Sequence, residues 1–233
     1  RYVEATGGLS HPREQSAATR TLMALFLSED ARSLLSSPAA EHAFRASFEN
    51  TCTFEHLAEL ISADPELSHD IRRLANSARF DRAGASMGVK TSVHRVGTEG
   101  TRELVMVASA RRWLDLPRSP SLANALQCRA SAIAWCARSL AERLGEDPDD
   151  CFTAGLLHHV GVAVAWRLLE QNEDLLGTRF GFDRTIHHRI VEGAHARLSA
   201  LQVRSWGLPG RIADAVEHHH RPTLRGTFQR HRL

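Results

Sequence analysis

The sequence has a single tyrosine and few runs of β-branched residues, and strict alternation of apolar and polar positions is almost absent, so strands are not expected. No run of about 18 apolar residues is present, the length that a membrane-spanning helix requires. No charged-then-apolar leader opens the chain, which starts at Arg1 as a trimmed chain would. These absences point to a cytoplasmic protein with no membrane contact. The four cysteines, Cys52, Cys128, Cys136 and Cys151, form no CxxC pair and no framework spacing. A disulfide scaffold is thereby excluded, and reduced, mostly buried thiols are expected. Excess charge is also missing, with Lys+Arg 29 against Asp+Glu 27. Arg72-Arg73, Arg111-Arg112 and the tail Arg221, Arg225, Arg230, His231 and Arg232 are basic. Without interleaved aromatics they read as solvated faces and not as a nucleic-acid stripe.

What the sequence does have is histidine, 14 in 233 residues, grouped at His158-His159, His187-His188 and His218-His219-His220. A single histidine of this kind is usually a surface or core residue. Groups at separate points that a fold could bring together suggest a site, because neutral imidazole is a common metal ligand.

Helical periodicity runs through the rest. Residues 15–35 predict a helix with Leu22, Leu25, Phe26 and Leu34 on one side, able to pack on the core or to mediate dimerisation. A short helix is expected near 53–62, and Asp64-Pro65 opens another carrying Leu67, Ile71, Leu74 and Ala78. Residues 79–92 look irregular, and a central helix is expected over 98–114. The break at Pro117, Ser119 and Pro120 is the candidate internal boundary. Beyond it, Leu122, Leu126, Ala130, Ile133, Ala137, Leu140 and Leu144 form a stripe predicted to face the core, stopped by Gly145. The apolar helix expected over about 150–169 carries His158-His159 in its middle. Further helices are expected near 185–206 and 209–220. On the last, His219 shares a face with Ile212, Ala215 and Val216, and His220 lies about 100° round.

The order of motifs resembles a known family. Ala63-Asp64-Pro65-Glu66-Leu67 with Leu74-Ala75-Asn76-Ser77-Ala78 is similar to the opening of HDOD domains, and Val96-Gly97 with Arg102-Glu103-Leu104-Val105 to the helix that follows. Ala154 to Gly161 resembles the family's "aGLLHDIG". Glu192 to His195, Trp206-Gly207-Leu208-Pro209 and His219-His220-Arg221-Pro222 resemble its closing motifs. The resemblance covers about residues 45–222. It implies an all-α fold, with a helical extension over 1–40 and an HDOD domain over 41–233. That domain would comprise a helical subdomain over 41–118 and an HD-like helical bundle over 119–233.

The resemblance also implies a bacterial signal-transduction module acting through protein partners in trans. HD phosphohydrolases hold one or two cations with histidines and carboxylates. Here His159 stands where the pair's Asp is expected, Arg129 falls at the first histidine, and Ala194 precedes His195. The chain ends at Leu233, before the helix that would carry the last Asp. A degenerate pocket of Arg129, His158, His159, His195, His219 and His220 is therefore expected, with no catalytic residues. It could hold a phosphate or nucleotide, or a divalent transition metal on the five histidines. The alternative is a metal-dependent phosphohydrolase acting on a nucleotide or cyclic dinucleotide.

Overall fold

The structure, a computed structural model, describes residues 12–28, 38–47, 53–76, 88–116, 119–172 and 184–220. Residues 29–35 of the first expected helix, Cys52, Ala78 and the basic tail lie outside the described residues. So do 79–87 of the segment expected to be irregular.

The described residues form helices and no strand. The first three are α1 (Pro12–Ser28), α2 (Pro38–Ala46) and α3 (Phe54–Ala63). They are followed by α4 (Pro65–Ala75), α5 (Val89–Trp113) and α6 (Pro120–Leu144). The last four are α7 (Pro148–Leu157), α8 (Val160–Gln171), α9 (Arg184–Ser205) and α10 (Gly210–Glu217).

Local chemistry accounts for these boundaries. Asp64 caps α4, accepting from the amides of Glu66 and Leu67 at 2.9 and 3.0 Å, with Pro65 at the first helical position. The same carboxylate takes Arg112 of α5 at 2.6 Å, which fastens the two helices. Helix α5 begins at Val89, earlier than the periodicity suggested, because Gly97 (φ 74°) lets the chain bend and resume a helix. Thr101 steadies the bend by donating to the Gly97 carbonyl at 2.7 Å.

Two apolar clusters form, and α5 serves both. Leu104, Val105 and Ala108 pack with Ala43, Ile61, Leu67 and Ile71. Met106, Val107, Ala110 and Trp113 turn to a larger cluster with α6 to α10. A helix apolar nearly all round is what such a position requires. Helix α1 packs on α9 and α8, burying Leu22, Met23 and Phe26 in the larger cluster. Trp113 and Trp206 stack with centroids 4.0 Å apart, and Phe44 meets Trp113 edge-on at 4.8 Å.

The structure corrects three expectations. The core face of α6 keeps only the first half of the expected stripe: Leu126 and Ala130 are buried as expected, but Ala123, Ala134 and Ala141 complete the buried face. Ile133, Leu140 and Leu144 are 38%, 56% and 65% exposed. The reason is the approach of α7, whose Gly155 lies so close that a Cβ there would be 2.9 Å from the Ala134 Cα. Only small side chains fit that contact. The thiols follow, since Cys128 and Cys136 are exposed and Cys151 half-buried, contrary to the buried thiols expected. Finally, 150–169 is not one helix. The stretch Pro148–Gln171 is apolar and mostly buried in the protein, and it breaks at His158-His159 into α7 and α8.

Candidate metal centre

Close packing flanks the break between α7 and α8. A Cβ on Gly161 would fall on the carbonyl oxygen of His195 and the amide of Ser199, so α8 touches the α9 backbone directly. Gly155, six positions earlier, is pressed on α6. The two close contacts bracket the bend, one on each side of His158-His159. Ser199 repairs the backbone at the bend: its Oγ accepts from the Gly161 amide at 2.7 Å and donates to the His158 carbonyl at 3.0 Å. His158 and His159 are thereby turned toward α9 and the end of α10.

His159, His195, His219 and His220 converge, each offering one ring nitrogen, all within 4.8 Å of one another. His158 lies against this set, its ring centroid 3.9 Å from that of His159 and 5.2 Å from that of His219. Helix α10 ends at Glu217, and the turn after it lets both His219 and His220 reach the cluster. The expected 100° divergence of these two therefore does not hold, because helical spacing stops applying past the last helical residue.

Main-chain carbonyls fix the tautomers. His158 Nδ1 donates to Gly155 O at 2.7 Å, His195 Nδ1 to Glu192 O at 2.8 Å and His219 Nδ1 to Val216 O at 2.6 Å. A carbonyl only accepts, so each of these neutral rings keeps its lone pair on Nε2. The His195 Nε2 lone pair accepts from His220 Nε2 at 2.9 Å. His219 Nε2 and His159 Nδ1 are buried with no hydrogen-bond partner among the described residues.

Four of the rings, those of His158, His159, His195 and His219, are held neutral. Burial pushes His158 down to about 4 and His159 down to about 2, and neighbouring imidazoles and Arg129 push the same way. His195 and His219 are lowered by burial, against their bonds to the Glu192 and Val216 carbonyls. Neutral rings with inward lone pairs and backbone-tethered Nδ1–H groups are the arrangement in which imidazole ligates a metal. The unpartnered nitrogens fit a cation. A donor set of nitrogen alone suits Zn, Ni, Cu or Co better than Mg or Ca, and no carboxylate of the described residues joins the set.

These rings border a cavity of ≈ 660 Å³ lined by His158, His159, His219 and His220, with Arg129 exposed at its rim. The structure thus brings four of the expected site residues into one cluster, sets His158 beside it and places Arg129 at the mouth. His188 is exposed and meets Trp166, and His218 bonds the Asp214 carbonyl, so neither belongs to the cluster. Sequence reasoning missed Ser199 and the walls Ile133, Ala137 and Cys151. Ser199 had a signal, a small polar residue one helical turn beyond His195. The wall residues had none, being counted as core.

Residues 38–222 match the family model of the HDOD domain. An uncharacterized protein of Treponema pallidum (strain Nichols) is 27% identical over 171 residues, 70% of this chain and 33% of that protein. The chain thus spans about a third of the length of that curated relative. A crystal structure from Marinobacter aquaeolei VT8, provisionally described as a signal transduction protein, superposes with TM-score 0.61 at 18% identity, over 92% of this chain and 51% of that one. One from Shewanella amazonensis SB2B, provisionally described as a metal-dependent phosphohydrolase, gives 0.59 at 16% identity, over 87% and 75%. At these identities the superpositions establish a shared fold.

Proposed function

This chain belongs to the HDOD domain family, and from that premise we propose that it is a regulatory module of signal transduction that binds a single borderline transition metal and does not hydrolyse phosphate esters. The observation that carries the reading is the all-imidazole cluster, with two buried ring nitrogens left unpartnered and no carboxylate of the described residues among the ligands. Hydrolysis on paired cations calls for carboxylates that offset charge and bridge the metals. Here His159 supplies a neutral nitrogen, and Arg129 brings a permanent positive charge to the rim.

His159, His195, His219 and His220 would hold the metal, which supplies a Lewis-acid centre when bound. The protein's own residues join three elements there: the α7–α8 bend, α9 and the end of α10. Binding at that junction would favour one relative placement of these helices, and signalling partners in trans would read it. The Marinobacter relative's provisional description agrees with such a role.

The test is elemental mass spectrometry of tag-free protein purified without chelators, beside His159→Ala/His195→Ala. About one equivalent of Zn, Ni, Cu or Co, lost in the double variant, with no turnover of bis-p-nitrophenyl phosphate or a cyclic dinucleotide, is expected. Turnover that disappears in the variant would replace this reading with the phosphohydrolase one. Less than about a tenth of an equivalent after reloading would remove the metal.

A further inference from the structure

The cavity beside the imidazole cluster has two unlike ends. Helices α6 and α7 run antiparallel, as the Gly155–Ala134 contact and the 3.0 Å ion pair of Arg138 with Asp149 fix. Arg129, Ile133 and Ala137 line the cavity from α6 at successive turns. Opposite Arg129 lie His158 and His159, whereas Cys151 and Ala154 of α7 stand toward Ala137. The α10 side agrees, with His219, just past the helix end, at the polar end and Ala215 one turn back, while Arg211 pairs with Asp150 outside the lining. Cationic and imidazole groups therefore gather at one end, and aliphatic groups and a thiol line the rest. Burial raises the Cys151 thiol above its ordinary range, so that wall stays uncharged.

This lining does not suit a nucleoside. Away from the histidines it presents no amide, hydroxyl or aromatic side chain to pair with or stack on a base. It does explain Ile133, an isoleucine 38% exposed on a helix whose core face is built from alanine.

We propose that the cavity binds an amphiphilic oxyanion, a carboxylate or phosphate monoester whose head meets Arg129 and the imidazole end and whose aliphatic body lies along Ile133, Ala137 and Ala154. From Arg129 to Ala137 the wall is about 12 Å long at 1.5 Å per residue, room for about eight carbons. A guanidinium takes either head group in bidentate fashion. The inference rests on the regulatory reading, for it names the signal that the pocket senses. It does not depend on the metal, since Arg129 and Ile133 remain without it.

The test is calorimetric titration of metal-loaded and chelator-treated protein with octanoate, octyl phosphate, acetate, inorganic phosphate and adenosine monophosphate. At least one octyl ligand is expected to bind about 30-fold more tightly than its short counterpart, the effect of about 2 kcal/mol from a partly buried chain. Ile133→Gln, a neutral polar change, should cost about fivefold or more for that ligand and leave inorganic phosphate unchanged, and Arg129→Ala should weaken every anion. Both side chains are exposed, and unchanged thermal midpoints would show that the variants fold. Which octyl ligand wins identifies the head group. Equal affinity for octyl and short anions, tighter binding of the nucleotide, insensitivity to Ile133→Gln, or no binding at millimolar ligand would overturn the proposal. Metal content is measured on the same samples, so these outcomes are separate from loss of the metal site.

Discussion

Gly161 packs its Cα against the main-chain carbonyl of His195, leaving no room for a side chain between α8 and α9. The imidazole cluster hangs from that contact, because His159 sits two residues before Gly161 and His195 supplies both the carbonyl and a ring. Gly161→Ala would meet backbone on two sides and could not be relieved by a rotamer change. It should cost about 1–3 kcal/mol by overpacking and separate His159 from His195. Thermal unfolding should show a lower midpoint, and elemental analysis should show reduced metal. A variant with wild-type stability and metal content would contradict the packing described.

The histidines should make stability depend on acid. His158 and His159 titrate well below the usual imidazole value of 6.5 in the folded protein, at about 4 and about 2. Below 6.5 the unfolded chain takes up protons that the folded one refuses. Their contribution is therefore complete above about pH 6.5 and is lost as pH falls toward 4, with a slope of up to about 1.4 kcal/mol per pH unit for each such group. Urea unfolding of metal-free protein between pH 4 and 7 should show this decline, and His158→Gln should make it shallower by one group's share while His159 keeps the rest. A flat profile in the native chain would show that these rings are solvated.

Trp206, just past α9, meets α5 and α2, stacked on Trp113 at 4.0 Å and near Phe44 at 6.2 Å. Its removal would leave a cavity under the turn that carries Gly207 and Leu208, with no obvious side chain to fill it. Trp206→Ala should cost about 3–5 kcal/mol, and Trp206→Phe markedly less. Denaturant titrations of the two variants would separate lost stacking from lost volume.

Arg138 ties three helices together. Its guanidinium meets Glu103 of α5 at 2.9 Å and Asp149 of α7 at 3.0 Å from its own place on α6. Glu103 is nearly buried, so Arg138→Ala would remove the Arg138 ion pair from a largely desolvated carboxylate. The expected loss is about 1–3 kcal/mol. Adding Glu103→Gln should recover part of it, and a double-mutant cycle that shows no coupling would refute the linkage.

Much of this arrangement was legible in the residues. Asp64-Pro65 announced the start of α4 because a carboxylate cap and a proline act within one turn. Gly145 closes α6 in the left-handed conformation that favours glycine. The motif order led to the family, and the histidine groups led to the pocket. The stripe on α6 misled because apolar periodicity reports which residues share a face and not how closely a neighbour approaches it. Ala134 and Ala141 carry a weaker apolar signal than Ile133, Leu140 and Leu144, yet it is at Ala134 that Gly155 closes on the α6 backbone.

By itself the sequence determined an all-helical chain, its main caps and stops, and a set of histidines without the usual carboxylate partner. These follow from local preferences and residue identity, which act over a few positions. The tertiary structure decided that the apolar stretch breaks at His158-His159, that four imidazoles from three elements converge, and that Ile133 faces a cavity. Those outcomes depend on the clearance between helices, set by residues far apart in the chain such as Gly161 and His195.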